Sequence, residues 1–323
     1  MEPVKRIGIL TSGGDAPGMN AAIRAAVLTA CHFEIESVGI RRGYNGLIAG
    51  DVLPLTRKDV EGMTNLGGTM LYTARSAEFY TKAGQKRAAD NCRFLGLDAL
   101  VVIGGDGSFH GALELQRLGV RVACVPGTID NDIGCSTYTI GFDTACNTAI
   151  DAMDKLNDTM KSHERCSVVE VMGHKSGHIA LNVGIATGAT ATLTPENEVD
   201  FEADVIARIR EARLRGSTHF TVVVAEGAYS AHDAAERIQA ETGIEARATT
   251  LGHIQRGGSP LTRDRVTAAR MGYRAVTLLR DGESGKIVVM NGDVCETVDI
   301  EPGLAMKKSF DADMCKMQNV LMK

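Results

Sequence analysis

Between Ala99 and Asp132 the chain reads ALVVIGGDGSFHGA and closes on VPGTIDND. The run Ala99–Ile103 has no polar break, which suits a strand buried on both faces, and so a parallel sheet covered by helices. Gly104, Gly105 and Gly107 follow at once, leaving only Asp106 and Ser108 to carry side chains. Backbone without Cβ lets a phosphate approach closely. Ser108–Leu118 then reads as a helix, whose leading N–H groups favour an anion. A carboxylate inside an anion site is repulsive unless a cation intervenes, and Mg²⁺ is that cation when the anion is a nucleotide phosphate. Asp106 is therefore the candidate metal-side residue.

The second half repeats the pattern. Val122–Val125 predicts another strand, Pro126-Gly127 ends it, and Thr128-Ile129-Asp130-Asn131-Asp132 follows. If extended, this segment sends Thr128, Asp130 and Asp132 to one side, because side chains alternate along a strand. A hydroxyl and two carboxylates beside a magnesium–phosphate site can take a proton from a hydroxyl nucleophile in phosphoryl transfer. Upstream, the apolar strand Ile7–Leu10 runs into TSGGD, with Gly14 in the turn, and then into a helix opened by Pro17 and sustained by Ala21–Ala30. That is a second phosphate-binding candidate, although a bare structural turn reads the same way. Downstream, RATTLGHIQRGGSP carries Arg247, His253 and Arg256 in a glycine-interrupted segment, and planar guanidinium groups pair well with phosphate oxygens. Phe220–Ala225 predicts a buried strand delivering Glu226 at its carboxyl end, where sheets of this kind bind ligands. A helix cap or a surface ion pair is the plainer alternative for that glutamate.

A chain of 323 residues is long enough for two lobes with separate cores. Strand and helix patterns alternate throughout, which predicts an α/β protein with mostly parallel sheets. Gly43–Leu47 reads as a loop, Ala203–Arg215 as a surface helix, Leu261–Asp281 as a helix, and Ile287–Val298 as a hairpin turning at Asn291-Gly292. A net charge of −5 without a basic run argues against nucleic acid as a partner. No apolar stretch approaches a membrane span, and Met1–Arg6 leads straight into a strand, so neither a membrane nor a signal peptide is expected. The eight scattered cysteines form no C-x-x-C pair and read as reduced thiols of a cytoplasmic protein.

GGDGS followed by PGTIDND, in this order and spacing, resembles the bacterial ATP-dependent 6-phosphofructokinases, and LGHIQRGGSP is close to a signature of the same family. The resemblance covers nearly the whole chain. It implies two lobes, each a mostly parallel sheet flanked by helices: an ATP-binding lobe over 1–141 and 255–303, and a sugar-phosphate lobe over 142–254 and 304–323. It implies transfer of the ATP γ-phosphoryl to the 1-hydroxyl of fructose 6-phosphate in glycolysis, giving fructose 1,6-bisphosphate and ADP with Mg²⁺ as cofactor. Asp130 is implied as general base, with Thr128 and Gly14 lining the transfer site and Asp132 supporting the metal or the base. The resemblance assigns ATP to Gly14, Arg75, Ser76, Gly105, Asp106, Gly107, Ser108 and Gly111. To the sugar phosphate it assigns Thr128, Asp130, Arg165, Met172, Gly173, His174, Glu226, Arg247, His253 and Arg256. Arg165 and Arg247 are implied to reach a neighbouring copy, hence a homotetramer.

The chain also departs from the family pattern. His174 stands where the family has arginine, and histidine is shorter and only partly charged near neutral pH; Lys175 is the neighbouring cation. His174 and His178 are four apart, a metal-binding spacing on one helical face, but no third ligand is in view. Ser76 replaces a residue that is often aromatic. Glycine at 107 and 127, where pyrophosphate-using relatives carry Asp and Lys, leaves room for a nucleotide. Arg24, Arg57 and Arg215 match the family's effector site, whereas Leu28, Asn157, Thr190 and Ser217 replace three of its cations and one carboxylate, which implies blunted control by ADP or phosphoenolpyruvate. The alternatives are a kinase for another phosphosugar, such as sedoheptulose 7-phosphate, or a catalytically weakened regulatory subunit. The intact Asp106, Thr128, Asp130 and Asp132 speak against the second.

Overall fold

A computed structural model describes residues 3–322. In chain order, β1 (Arg6–Ser12), α1 (Met19–His32), β2 (Glu36–Ile40), α2 (Gly43–Ala49), β3 (Val52–Leu55), α3 (Lys82–Phe94), β4 (Ala99–Gly104), α4 (Asp106–Arg117) and β5 (Arg121–Pro126) come first. Next are α5 (Phe142–His163), β6 (Cys166–Val171), α6 (His178–Thr187), β7 (Ala191–Leu193), α7 (Ala207–Leu214), β8 (Phe220–Ala225), α8 (Ala231–Thr242) and β9 (Ala246–Thr250). The chain closes with α9 (Thr262–Arg280), β10 (Lys286–Asn291), β11 (Val294–Asp299), α10 (Ile300–Ala305) and α11 (Ala312–Leu321). Contacts gather these into two compact units. One takes the chain up to Ile129, then Ile133–Asp143 and Arg256–Lys308; the other takes Asp130–Asp132, Thr144–Gln255 and the chain from Ser309.

The first unit holds a seven-stranded sheet in the order β11-β10-β5-β4-β1-β2-β3. Every pairing is parallel except at the two edges, where β3 and β11 run antiparallel to their neighbours. β4 is buried along its whole length, as its unbroken apolar run requires. Leu10, Leu100, Val102 and Val122 of the sheet pack with Phe109 and Leu115 of α4 in one core. The second unit holds a four-stranded, all-parallel sheet, β7-β8-β6-β9. Its core joins Val168, Val222 and Val224 to Phe201, Ile209 and Ile238 from the covering helices. Among the described residues no helix is long and apolar enough to cross a membrane.

Local readings differ from the sequence expectation at identifiable places. The segment expected as a loop, Gly43–Leu47, is helical in α2. Two glycines and an asparagine supply little helix propensity, so packing holds it. The Tyr44 ring stacks on Phe79 with centroids 4.0 Å apart, and its hydroxyl donates to the Ser108 carbonyl at 2.5 Å. α4 begins at Asp106, two residues before the expected start, so the carboxylate occupies the first helical turn. The hairpin closes on Asn291 opposite Val294, which makes Gly292-Asp293 the two-residue turn, one place beyond the Asn-Gly pair. Gly292 has φ +57°, the left-handed conformation that such a turn demands. Ahead of α7, Glu202–Ile206 winds as a π-helix.

Candidate active site

In the first unit β1 is paired with β2 on one side and β4 on the other. The strand order therefore reverses between β1 and β4, the position at which open α/β sheets bind ligands beyond their carboxyl ends. Both glycine turns predicted to meet phosphate stand there. Ser12 lies opposite Gly104, and a Cβ on Gly104 would lie 2.5 Å from both the Ser12 carbonyl oxygen and Ser108 Oγ. A Cβ on Gly105 would make ordinary contact with Thr128 at 3.7 Å, and one on Gly107 would enter open space. A Cβ on Gly127 would lie 3.1 Å from Ile103 and 3.2 Å from Met19.

The remaining first-unit candidates take different positions. Asp106 is exposed at the N-terminus of α4, where the helix dipole favours an anion, and its Oδ2 lies 3.5 Å from Nε2 of His110. Among the described residues no group of three or more His, Cys, Asp or Glu side chains is arranged to hold a metal. An accessible single carboxylate fits Mg²⁺ that arrives with a nucleotide, since that ion keeps water and phosphate as most of its ligands. Arg75 is exposed, and its carbonyl accepts from Asn45 Nδ2 at 3.1 Å. Ser76 is buried, and its Oγ accepts the Phe79 N–H at 3.2 Å. Where Gly111 would carry a Cβ, the rings of Tyr44 and Phe79 lie 2.6–2.9 Å away, so this glycine allows rings and helix to meet. The Arg256 guanidinium lies against Gly14 and donates to the Asp15 carbonyl at 3.1 Å.

The TIDND segment is not extended. Thr128 is buried, and its carbonyl accepts from the Thr139 hydroxyl at 2.7 Å. The chain then turns at Ile129-Asp130, and Asn131 adopts φ +48°. Asparagine tolerates that conformation better than most side chains. The strict alternation that would have aligned Thr128, Asp130 and Asp132 is broken there.

In the second unit Asp130 is half-buried and Asp132 exposed. The buried Ser176 hydroxyl donates to the Asp130 carbonyl at 3.1 Å. Nothing in the sequence pattern singles out Ser176 or Thr139, since a hydroxyl that binds backbone leaves no periodic signal. After β6, buried Met172 donates its N–H to Gln255 at 2.8 Å. Gly173 at φ +147° and His174 at φ +55° then reverse the chain. Their N–H groups donate to one oxygen of Glu226, at 3.2 and 2.6 Å. Glu226, expected as an acceptor for sugar hydroxyls, thus anchors the 173–174 backbone. α6 starts only at His178, so His174 and His178 share no helical face, and the His178 ring sits 5.3 Å from that of Phe310. The exposed His174 and Lys175 side chains follow the reversal.

Arg165 and Arg247 come together. Arg165 Nε donates to Glu245 Oε2 at 2.8 Å, and Arg247 Nη2 pairs with the other oxygen of the same carboxylate. Burial acts to raise the Glu245 pKa, but the two guanidinium groups, Arg247 foremost, hold it below the ordinary carboxylate value. His253 is exposed in the short turn Gly252–Arg256. The Asn157 side chain accepts from the Thr221 hydroxyl at 2.7 Å, and the Thr190 hydroxyl accepts the Thr221 N–H at 3.3 Å.

Residues 6–279 match the family described as Phosphofructokinase. The chain is 49% identical over 322 residues to an ATP-dependent 6-phosphofructokinase of Clostridium botulinum, an alignment covering 99% of this chain and 100% of the relative. Identity is also 49%, over 320 residues, to ATP-dependent 6-phosphofructokinase 1 of Clostridium perfringens, again with 99% and 100% coverage. Among solved structures, phosphofructokinase from Saccharomyces cerevisiae superposes with a TM-score of 0.87 at 33% identity, over 93% of this chain and 45% of the yeast chain.

Proposed function

The chain belongs to the phosphofructokinase family, and from that premise we propose that it transfers the γ-phosphoryl of ATP to the 1-hydroxyl of fructose 6-phosphate, releasing fructose 1,6-bisphosphate and ADP. One observation carries the reading beyond family membership. The turns after β1 and β4 stand at the strand-order reversal, with open space at Gly107 and Thr128 against Gly105.

In this reading the first unit takes the nucleotide. The turn at Gly104–Gly107 and the first N–H groups of α4 receive the phosphates, with Gly14, Arg75, Ser76, Ser108 and Gly111 around them. Asp106 would hold Mg²⁺, which, when bound, offsets the charge of the phosphate oxygens. The second unit takes the sugar phosphate. Asp130 accepts the proton of the attacking hydroxyl, with Thr128 and Asp132 beside it in sequence, and Ser176 holds the Asp130 backbone. Met172, Gly173, His174 and Glu226 shape the sugar site, while Arg165, Arg247 and His253 receive its phosphate. Arg165 and Arg247 do so for a neighbouring copy, which makes the working form a homotetramer of the cytoplasm. Most of the rate then comes from positioning and charge neutralisation, as in phosphoryl transfer generally.

The test uses purified protein with Mg²⁺ and fructose 6-phosphate, comparing ATP with pyrophosphate and following fructose 1,6-bisphosphate. Turnover with ATP and none with pyrophosphate is the expected result. Turnover with pyrophosphate alone would reassign the donor. No turnover with either, in protein that still binds both substrates, would favour another phosphosugar such as sedoheptulose 7-phosphate, or a catalytically weakened regulatory subunit.

A further inference from the structure

We propose that Glu245 is a positioning residue that sets Arg165 and Arg247 as one preformed anion-binding pair for the phosphate end of the sugar. The inference rests on the assignment of those two arginines to the sugar phosphate.

The strand register produces the cluster. β6 and β9 are parallel with Cys166 opposite Ala246 and Ser167 opposite Arg247. The Cys166 N–H donates to the Glu245 carbonyl at 2.9 Å, so Arg165 and Glu245 flank the first rung of the ladder. Residues two apart on a strand face the same way, which brings Glu245 and Arg247 to one side. The two arginines therefore meet across one carboxylate: Arg165 Nε on Oε2 at 2.8 Å, and Arg247 Nη2 on Oε1.

Each arginine spends one donor on Glu245, and a guanidinium has five N–H groups. Four remain on each, and the side chains stay 30% and 64% exposed, open to an incoming anion. Without the carboxylate, two like charges would repel, and the more exposed Arg247 would sample many rotamers. The substrate phosphate would then have to bear the cost of ordering both. Glu245 removes one unit of positive charge from the cluster but fixes both forks before binding. Because the phosphate lies away from the reacting hydroxyl, the benefit is uniform binding, visible in KM and not in kcat.

The test compares full-length Glu245→Ala and Glu245→Gln with Arg165→Ala, Arg247→Ala, the double variant lacking both arginines and the triple variant, reading KM for each substrate, kcat and assembly size. Glu245→Ala should raise KM for fructose 6-phosphate about three- to tenfold and leave kcat, KM for ATP and assembly size unchanged. Glu245→Gln, with one acceptor oxygen left, should fall between. In the background lacking both arginines, Glu245→Ala should have no further effect. A fall in KM would overturn the proposal, because the carboxylate would then be a competitor of the phosphate. An equal rise in the arginine-free background would overturn it too, showing that Glu245 acts through the fold. If the two arginine variants themselves leave KM unchanged, the assignment of the sugar-phosphate site fails and the proposal falls with it.

Discussion

Asp130 lies in a turn, with its backbone carbonyl held by Ser176 and the next residue left-handed. This geometry fixes where the side chain starts, so the base role can be tested without disturbing the loop. Asp130→Ser should keep the fold and substrate binding and lose turnover by about 10²- to 10⁴-fold, the usual contribution of a general base. Near-normal kcat in that variant, with unchanged circular dichroism, would remove Asp130 from the role. His174 invites the opposite experiment. Its backbone is anchored through its N–H to Glu226, so the exposed side chain can be exchanged while the anchor remains. His174→Arg makes the charge there permanent and should raise kcat several-fold at neutral pH; unchanged kinetics would assign that charge to Lys175. The sequence made the TIDND residues legible as chemistry because hydroxyl and carboxylates in a short polar burst after an apolar strand have few other uses. It did not disclose the bend, since alternation along a strand cannot register an asparagine that turns left-handed at position 131. The lodging of Arg256 against Gly14 was equally invisible, being a contact between residues far apart in the chain.

At the scale of elements, α2 and α4 depend on each other. Gly111 leaves the space that Tyr44 and Phe79 fill, and the Tyr44 hydroxyl reaches back to the Ser108 carbonyl. Gly111→Ala puts a methyl 2.6–2.9 Å from those rings and should cost about 1–3 kcal/mol, read as a lower midpoint in urea. This dependence also explains why α2 escaped the sequence pattern: a helix rich in glycine exists only because a neighbour holds it. Glu114 of α4 accepts from Lys82 at 2.6 Å and from Arg117 at 2.7 Å, while Arg117 also reaches Glu301 of α10. The Lys82 hydrogen bond first, and Arg117 after it, hold the Glu114 carboxyl below its ordinary value against the opposing effect of burial. A carboxyl whose folded pKa is depressed stabilises the fold above its unfolded value and loses that contribution as pH falls. Glu114→Gln should therefore cost about 1 kcal/mol at pH 7, less in high salt, and the gap from the parent should close below about pH 4.

For the whole molecule, the alternation of strand and helix patterns was readable, and it led directly to the α/β class. Which distant strands become neighbours was not, because pairing such as β5 with β10 leaves no local trace in either segment. The thiols give a check on the whole packing. Cys92, Cys124, Cys146 and Cys166 are buried, whereas Cys31, Cys135, Cys295 and Cys315 are half-buried. Burial pushes the Cys92 and Cys166 thiols up to about 12 and Cys124 higher still, leaving almost no thiolate at neutral pH. Iodoacetamide should label no more than the four half-buried cysteines in native protein and all eight in denaturant, counted by mass spectrometry; native labelling of Cys124 would reveal an opening of the sheet. The place of β10 beside β5 has a further consequence for how the protein is made. A ribosome delivers β1 to β5 first, and the free edge of β5 then waits until Asn291 has emerged, an interval of roughly 10–30 s at ordinary elongation rates. Throughout that interval a hydrophobic strand with unpaired backbone groups faces the cell, so the nascent chain, rather than the finished protein, is the form most in need of a chaperone.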